Sequence, residues 1–392
     1  MPFIAAVAQA QALDAREAGL QAVHLALNRL GNTPPALGII IAPYRYDPQQ
    51  VISGASSLLT NVPLIGCSVS SALTRTGAHS HSVLVALLAG EGLQSETHWF
   101  PAYSQASGET ATRISQLLGY EQRPADSVIV FADGLIGNAE EFCAGLPAGL
   151  PIFGGLSSGD PQNASSFQIA GAQSGMGGLA AAFLRGNFKT GIGYGHGWHA
   201  VGSQFRVTRS RGFWLRTLDG HPAAETYAEM FGQPVRDWEI PPLNYMTRIY
   251  PLGFEQGTGA DLLLRAPLRV EEDGSFRMNA ALRDGSDAYL MIGSPSACLA
   301  AAREATRQAL LALGSSKPAF ALVLVDAAWQ MLLQANPGSE IKAVMDVLGE
   351  DVPIAGGYTI GQIVPPVGPN EHPQFLNQHI VVVLFGEKEK VD

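Results

Sequence analysis

The stretch Leu150-Pro151-Ile152-Phe153-Gly154 decides how the fold of this chain is interpreted, because the same pattern occurs on both sides of it. Val62-Pro63-Leu64-Ile65-Gly66 precedes it, and Val352-Pro353-Ile354-Ala355-Gly356 follows it. A short apolar run bounded by proline and glycine is typical of a buried β-strand. The pattern therefore predicts one structural unit that occurs three times.

The residues around each motif strengthen this prediction. Each copy is preceded by an amphipathic helix, an apolar strand and a second helix, and an outgoing strand follows it. In the second copy, Asn138 and Glu141 form a capping box at the start of the second helix. In the first copy, Asp47-Pro48 opens the corresponding helix. The order helix, strand, helix, strand, strand predicts parallel first and second strands with right-handed crossovers.

The fold class that follows is α/β (mixed α+β), in which repeated units form mixed sheets with helices packed on their faces. Between the second and third copies lies a β-rich stretch, with a hairpin predicted from Gln204–Arg211 and Phe213–Leu218. We predict two domains. Residues 1–235 would hold two units and the β-rich extension, and residues 236–392 would hold the third unit.

Composition limits the classes of partner. The chain has 392 residues and a net charge of −10, without a cluster of basic residues, which argues against nucleic acid. Its three cysteines lie far apart and fit a reducing compartment rather than a disulfide framework. The start lacks the basic region of a signal peptide, and no apolar run reaches about 18 residues. These features predict a cytoplasmic protein without membrane insertion.

Several motifs resemble the FIST family (F-box and intracellular signal transduction sensors). They occur in the family's order and extend over nearly the whole chain, from about residue 5 to 386. The motifs are Pro63-Leu64-Ile65-Gly66-Cys67-Ser68, residues 195–202 (GHGWHAVG), 205–209 (FRVTR), 218–223 (LDGHPA), 250–254 (YPLGF) and 351–363 (DVPIAGGYTIGQI).

Two positions depart from the family's pattern. After the strand that ends at Val325 the family usually has a Ser-Cys pair and then Gly-Arg, whereas residues 326–331 here are DAAWQM. Gln362 stands where a glutamate commonly follows the second glycine of the last motif. If these polar side chains contact a ligand, the ligand of this protein differs from the family's commonest one.

The resemblance implies a sensory module that binds a small ligand, with an amino acid as the favoured class. Such modules are usually coupled to a histidine kinase or a cyclic-di-GMP enzyme. A subgroup of similar length binds haem and senses nitric oxide, so haem is the alternative cofactor. Because the two FIST halves occupy the whole sequence, the expected output is through a separate partner protein.

Candidate ligand-binding residues come from the ends of the predicted strands, since the carboxyl ends of parallel strands collect binding sites. The alternative is that glycines after an apolar strand only permit a turn or close packing. The candidates are Cys67, Ser68, Asp133, Gly155, Ser157, Asp326, Tyr358, Thr359 and Gln362.

Histidines are the only candidates for metal or haem ligation. The pairs His196/His199 and His79/His81 lie beside turn signals without neighbouring carboxylates or thiolates, so surface histidine is the simpler interpretation. His196 and His199 remain weak metal candidates. Haem would need one axial histidine, and the candidates are His24, His98, His196, His199, His221, His372 and His379.

Signals for catalysis are weak. Residues 191–197 (GIGYGHG) lack the last glycine of a dinucleotide fingerprint, and Cys67 lacks the glycine that completes a nucleophile elbow. The leading prediction is a binding module without catalysis. An enzyme with its nucleophile or acid at Cys67, Asp133 or Asp326 is the second class.

Overall fold

The computed structural model describes residues 2–120, 124–160, 165–238, 240, 243–255, 262–366, 368 and 370–388. The chain divides into two compact units. The first contains Met1–Gly195, Leu299–Phe375 and His379–Asp392, and the second contains His196–Cys298 and Leu376–Gln378. All three motif strands lie in the first unit. The domain division at residue 235 stays a prediction.

The helices and strands follow one another in a repeating order. The first repeat contains β1 (Ile4–Ala10), α1 (Ala15–Leu30), β2 (Leu37–Pro43), α2 (Pro48–Ser56), β3 (Leu64–Val69), β4 (Ala72–Thr74), β5 (Gly77–His79) and β6 (Val83–Ala89). The second contains β7 (Gln94–Phe100), α3 (Ser107–Tyr120), β8 (Ser127–Asp133), α4 (Ala139–Gly145), β9 (Ile152–Ser157), β10 (Gln168–Ala170), β11 (Gln173–Gly175) and β12 (Leu179–Arg185).

The third repeat begins with β13 (Phe188–Gly195) and is interrupted by the second compact unit. That unit contains β14 (Trp198–Arg211), β15 (Trp214–Leu218), β16 (His221–Pro222), α5 (Ala223–Phe231), α6 (Val235–Trp238), α7 (Leu243–Met246), a 3₁₀ helix (Thr247–Ile249), β17 (Leu252–Phe254), β18 (Leu263–Arg265), β19 (Pro267–Val270), β20 (Phe276–Met278) and β21 (Asp287–Gly293). The repeat resumes with α8 (Pro295–Leu313), β22 (Pro318–Asp326), α9 (Ala327–Leu332), α10 (Ser339–Leu348), β23 (Ile354–Thr359), β24 (Gln362–Val364), β25 (Gln374–Leu376) and β26 (Ile380–Glu387).

The predicted fold class and the parallel strand pairs are confirmed. The strands β2, β8 and β22 pair in parallel with the motif strands β3, β9 and β23, respectively. The outgoing strands β6, β12 and β26 pair antiparallel with β2, β8 and β22. The predicted order was incomplete in two respects. Each repeat starts with an additional edge strand (β1, β7 or β13), and short strands lie between the motif strand and the outgoing strand.

These short strands are exchanged among the repeats. The first compact unit has three sheets, with orders β1-β6-β2-β3-β10-β11, β25-β24-β9-β8-β12-β7 and β13-β26-β22-β23-β4-β5. Strand β4 of the first repeat thus joins the sheet of the third, β10 of the second joins that of the first, and β24 of the third joins that of the second. The exchange is cyclic, so each sheet is completed by a different repeat.

Backbone hydrogen bonds repeat the same cycle just beyond the motif strands. Ser158 N donates to Ser68 O at 3.0 Å, and Ile360 N donates to Leu156 O at 2.9 Å. Ser70 N closes the cycle by donating to Tyr358 O at 3.4 Å. The three repeats are therefore joined around a pseudo-threefold centre.

The glycine of each motif is required by how closely the parallel strands approach. A Cβ atom at Gly66 would lie 2.1 Å from Ile40 O, and one at Gly154 would lie 1.7 Å from Val130 O. The corresponding distance from Gly356 to Val323 O is 1.9 Å. No side chain can be accommodated at such distances. The motif proline opens the strand, where its missing N–H is not needed.

The second compact unit is built on one antiparallel sheet, β18-β17-β21-β14-β15-β20-β19, with β16 added to β15. Helix α5 packs on one face, where the Tyr227 and Phe276 rings meet edge to face at 4.7 Å. The predicted hairpin of β14 and β15 is present. Strands β18 and β19 are separate although one residue apart, since β18 pairs with β17 and β19 pairs with β20. No helix of the described residues is long and apolar enough to span a membrane.

Candidate functional site

The nine candidate residues from the strand ends lie in the interior of the first compact unit. All nine residues are buried, and the side chains of the eight that are not glycine are at most 4% exposed. The exchanged short strands pair with the motif strands at Cys67, Gly155 and Gly357, so the outer edge of each motif strand is covered by a strand of another repeat. Whether these nine residues contact a ligand stays a prediction.

Ser68 and Tyr358 lie at the pseudo-threefold centre. The Ser68 hydroxyl donates to Ser158 O at 2.7 Å and accepts from Phe167 N at 2.9 Å. The Ser158 hydroxyl donates to Tyr358 O at 2.9 Å. Next to them, burial raises the pKa of the Cys67 thiol well above its ordinary value. Burial therefore favours the neutral thiol form of Cys67.

Asp133 and Asp326 both satisfy backbone donors. Asp133 accepts from Leu135 N at 2.8 Å and from Gly177 N at 2.8 Å, among other donors. Asp326 is the N-cap of α9 and accepts from Ala328 N at 3.0 Å. These contacts fix the loop after β8 and the start of α9, which is a structural function for both carboxylates.

Gln362 has a counterpart in the second repeat. It donates to Thr359 Oγ1 at 3.0 Å, just as Gln168 donates to Ser157 Oγ at 2.6 Å. The strand registers make the two glutamines equivalent, since Gln362 lies opposite Gly155 and Gln168 lies opposite Cys67. Gln362, which departs from the family's pattern, thus forms a buried amide–hydroxyl hydrogen bond that has an equivalent at Gln168. Gly155 itself packs against Thr359.

Tyr358 also carries a buried polar contact away from the centre. Its hydroxyl donates to Glu340 Oε1 on α10, and both side chains are fully buried. Burial raises the pKa of the Glu340 carboxyl, and the hydrogen bond from Tyr358 partly opposes that shift.

The predicted histidine sites are dispersed. His196 Nδ1 accepts from Trp198 N at 3.2 Å, and His199 is exposed on β14. Within the described ranges, no group of three or more His, Cys, Asp and Glu side chains is arranged to hold a metal ion. Of the other haem candidates, His98 packs 4.8 Å from the Phe183 ring, and His372 Nδ1 lies 2.7 Å from Leu146 O.

A cleft of about 630 Å³ opens beside the first repeat. One wall is the edge strand β1, whose partner among the described strands is β6, and another is the β4–β5 hairpin. The third repeat contributes Met345, Pro353 and Ile354. Its described lining residues are Ala5, Ala6, Val7, Ala8, Gln9, Arg29, Thr74, Arg75, Thr76, Met345, Pro353 and Ile354.

The charged groups of this cleft are two arginines. Arg29 and Arg75 are exposed, and Arg29 Nη1 also donates to Val7 O. None of the described residues that line the cleft is acidic. In a chain of net charge −10, the cleft is a local positive region suited to an anion, because guanidinium groups bind carboxylates through two parallel hydrogen bonds.

A polar cluster lies against the cleft. Gln9 Nε2 lies 3.1 Å from His79 Nε2, which also contacts the hydroxyls of Thr74 at 3.1 Å and Thr76 at 3.0 Å. Burial lowers the pKa of His79, so the imidazole is neutral at neutral pH. The charge of the cleft therefore comes from the arginines, and the cluster supplies neutral donors and acceptors.

The strand registers identify the residues equivalent to Gln9 in the other repeats. In each repeat, the paired residues can be followed across the sheet from the motif glycine, through the first predicted strand and the outgoing strand, to the edge strand. The residue reached on the edge strand is Ala8, His98 or Gly193, so these three residues are equivalent. The next residue is therefore Gln9, Trp99 or Tyr194. By the same argument, Gly175 is equivalent to His79.

The second repeat fills this position with an aromatic ring. The Trp99 indole packs on Gly178, where an added Cβ would lie 2.3 Å from the ring, and reaches Gly175. In the third repeat the Tyr194 ring lies 6.0 Å from that of His379. The first repeat has the polar pair Gln9 and His79 instead, beside an open cleft. This contrast makes the cleft the best candidate for a binding site.

The sequence prediction did not include the residues of this cleft. Gln9 lies on the edge strand β1, which was missing from the predicted repeat, and Arg29 and Arg75 stand at no recognised motif. His79 was considered only as part of a histidine pair. An alignment of the three repeats that included β1, β7 and β13 would have placed Gln9 at the same position as the aromatic residues Trp99 and Tyr194.

Two family models together match most of the chain. Residues 36–221 match the model of the FIST N domain, and residues 223–365 match that of the FIST C domain. No curated protein matches the chain. A solved chorismatase is similar at a TM-score of 0.36 and 11% identity, covering 98% of this chain and 99% of the chorismatase. The PurL protein of T. maritima in complex with AMPPCP is similar at 0.26 and 11% identity, covering 99% and 73%.

Proposed function

The chain belongs to the FIST family, whose domains are small-ligand sensory domains in signal transduction, and we propose that its ligand binds in the cleft between β1 and the β4–β5 hairpin. The observation that carries the proposal is the contrast among equivalent positions, with Gln9 beside an open cleft and Trp99 packed on glycine. A cleft of about 630 Å³ is within the range of small-molecule sites.

The ligand that fits this cleft carries a carboxylate, and an amino acid is the class we propose. Arg29 and Arg75 supply guanidinium donors for the carboxylate. Thr74 and Thr76 supply hydroxyls, and the edge of β1 away from β6 offers backbone groups to an ammonium or a polar side chain. Ala5, Ala8 and Met345 supply apolar surface.

A thermal-shift screen of amino acids, their decarboxylated amines and other metabolites tests this proposal. A ligand at one hundred times its Kd stabilises the folded state by about 2.7 kcal/mol, which is measurable as a higher Tm. We expect at least one amino acid to raise the Tm and its matching amine to have no effect. We expect Arg75→Ala to weaken binding about tenfold or more, since a hydrogen bond to a charged group contributes about 1.5–3 kcal/mol.

The control is Arg113→Ala, which removes an exposed arginine on α3 away from the cleft. It should bind the ligand as the unmodified chain does. A flat response across the panel, or equal affinity of the Arg75→Ala and Arg113→Ala variants, contradicts the proposal.

The output of the sensor passes, in this proposal, to a separate protein. A histidine kinase or a cyclic-di-GMP enzyme is the partner class that the family supports. Co-purification of the chain with such an enzyme, in the presence and absence of the ligand found above, tests this step. An unchanged kinase or cyclase activity in both conditions contradicts it.

Two alternatives from the sequence stay predictions. Haem binding through one of the histidines would give a Soret band on reconstitution. A catalytic function at Cys67, Asp133 or Asp326 would give turnover that alanine substitution at that residue abolishes.

A further inference from the structure

The outer face of the second compact unit carries a row of arginines that the ligand cleft does not use. In an antiparallel sheet, residues directly opposite each other share a face. Arg211 on β14 lies opposite Trp214 on β15, which lies opposite Arg277 on β20, and Arg277 lies opposite Arg269 on β19. The row Arg211–Trp214–Arg277–Arg269 therefore crosses four neighbouring strands.

The other face of the same strands is the core of the unit. Leu215, Phe276 and Val270 alternate with the row and are buried against Tyr227. Three members of the row are exposed, namely Trp214 at 41%, Arg211 and Arg269, and Arg277 is partly buried. Tryptophan and arginine are enriched among the residues that contribute most of the binding energy at protein interfaces.

The row is unfavourable for the isolated chain. Arg269 and Arg277 are like charges directly opposite each other, which destabilises a sheet. Arg277 lies over the rings of Phe213 at 4.6 Å and Trp214 at 4.3 Å, which holds its guanidinium in place.

The acidic residues near the row lie at the end that contains Arg269. Glu271 pairs with Arg269 at 3.1 Å, and Asp273 accepts from the Ser275 backbone at 3.1 Å and from its hydroxyl. Glu272 lies in the same turn and lines the groove beside the row together with Arg216. The acids thus lie at the Arg269 end and the Arg211 end is exposed, whereas the guanidinium of Arg277 is partly buried against the Phe213 and Trp214 rings.

We propose that this row binds an extended acidic segment of a partner protein, with an apolar residue of the segment on Trp214. Neighbouring strands lie about 4.8 Å apart, so the row is roughly 14 Å long, the length of about four residues of extended chain. A single small anion would engage one arginine, whereas a peptide with alternating acidic side chains engages the whole row. The surface is distinct from the ligand cleft, so the inference does not rest on the proposed ligand.

The test uses the full chain and a fluorescein-labelled peptide of about eight residues, acidic except for one central phenylalanine. Fluorescence anisotropy should show binding that weakens as salt increases. The double variant Arg211→Glu/Arg269→Glu reverses charge near both ends of the row and should weaken binding about tenfold or more. Trp214→Ala should weaken binding several-fold without changing its salt dependence.

The matched control is Arg236→Glu/Arg283→Glu, which makes the same charge change at two exposed arginines of the same unit outside the row. It should retain the affinity of the unmodified chain, and the Tm of every variant should stay within a few degrees of it. Absence of peptide binding, or equal loss in both double variants, overturns the proposal. Preferential binding of anionic vesicles or single-stranded RNA over the peptide also overturns it, because the occupant would then be a lipid surface or a nucleic acid.

Discussion

At the scale of single residues, the glycines of the three motifs explain why the repeat is visible in the sequence. Gly66, Gly154 and Gly356 each face a carbonyl of the neighbouring parallel strand at a distance that excludes a Cβ atom. Packing therefore fixes the residue at that position, and the proline before it fixes where the strand begins. The motif was a reliable predictor because both residues are set by backbone geometry rather than by a ligand.

Burial at the same scale gives Glu340 a pH-dependent effect on stability. Its pKa in the folded chain is raised, chiefly by burial. A carboxyl with a raised folded pKa favours folding below its unfolded pKa of about 4.3. That contribution is lost as the pH rises through the folded value, because the charged form must then be buried. The unmodified chain should therefore lose stability on this account between mildly acidic and mildly alkaline pH.

The variant Glu340→Gln removes this titration and keeps an acceptor for the Tyr358 hydroxyl. We expect its free energy of unfolding, relative to that of the unmodified chain, to increase as the pH rises from 5 to 8. Urea unfolding at several pH values measures this difference. A difference that stays constant across this pH range would show that the Glu340 carboxyl does not titrate with folding.

At the scale of elements, the long helices and central strands could be predicted from the sequence, and the short exchanged strands could not. Strands such as β8 and β22 are continuous apolar runs, and helices such as α4 carry capping signals. The strands β4, β10 and β24 have three residues each, too few to show a period, and their partners come from another repeat. No local pattern encodes such a pairing.

The same limit explains the outcome for the candidate site. The sequence placed polar residues such as Ser68 and Tyr358 at the ends of the motif strands, where the structure has them. It could not show that strands of another repeat pair beside them. The cleft residues Gln9 and Arg29 belong to no recognised motif. Gln9 stands out as a candidate only when it is compared with the residues at equivalent positions in the other repeats.

The filled cleft of the second repeat suggests a variant that closes the first. Gln9→Trp combined with His79→Gly and Ser82→Gly copies the residues Trp99, Gly175 and Gly178 into equivalent positions. The chain already accommodates this set once, so we expect the variant to fold while ligand binding in the thermal-shift assay is lost. Circular dichroism checks the fold. Retained ligand affinity in the folded triple variant would place the ligand elsewhere.

At the scale of the whole molecule, the cyclic exchange makes the three repeats depend on one another. The sheet of the first repeat is completed by β10, that of the second by β24 and that of the third by β4. A single repeat therefore leaves one sheet edge unpaired and one hairpin without a partner. The insertion of the second compact unit between β13 and α8 divides the third repeat along the chain, yet the β13–β26 ladder remains continuous from Phe188 to Gly195.

This dependence predicts the behaviour of a fragment that contains only the first two repeats, residues 2–187. In the fragment β9 would lack β24, and β4 would lack β23, so two hydrophobic edges would be exposed. The central cycle would lose the bond from Ser70 N to Tyr358 O and that from Ile360 N to Leu156 O. We expect no cooperative unfolding transition for the fragment, measured by circular dichroism and urea titration, whereas the full chain should unfold cooperatively. A stable, monomeric and cooperatively unfolding fragment would show that the exchanged strands contribute little, and that each repeat folds on its own contacts.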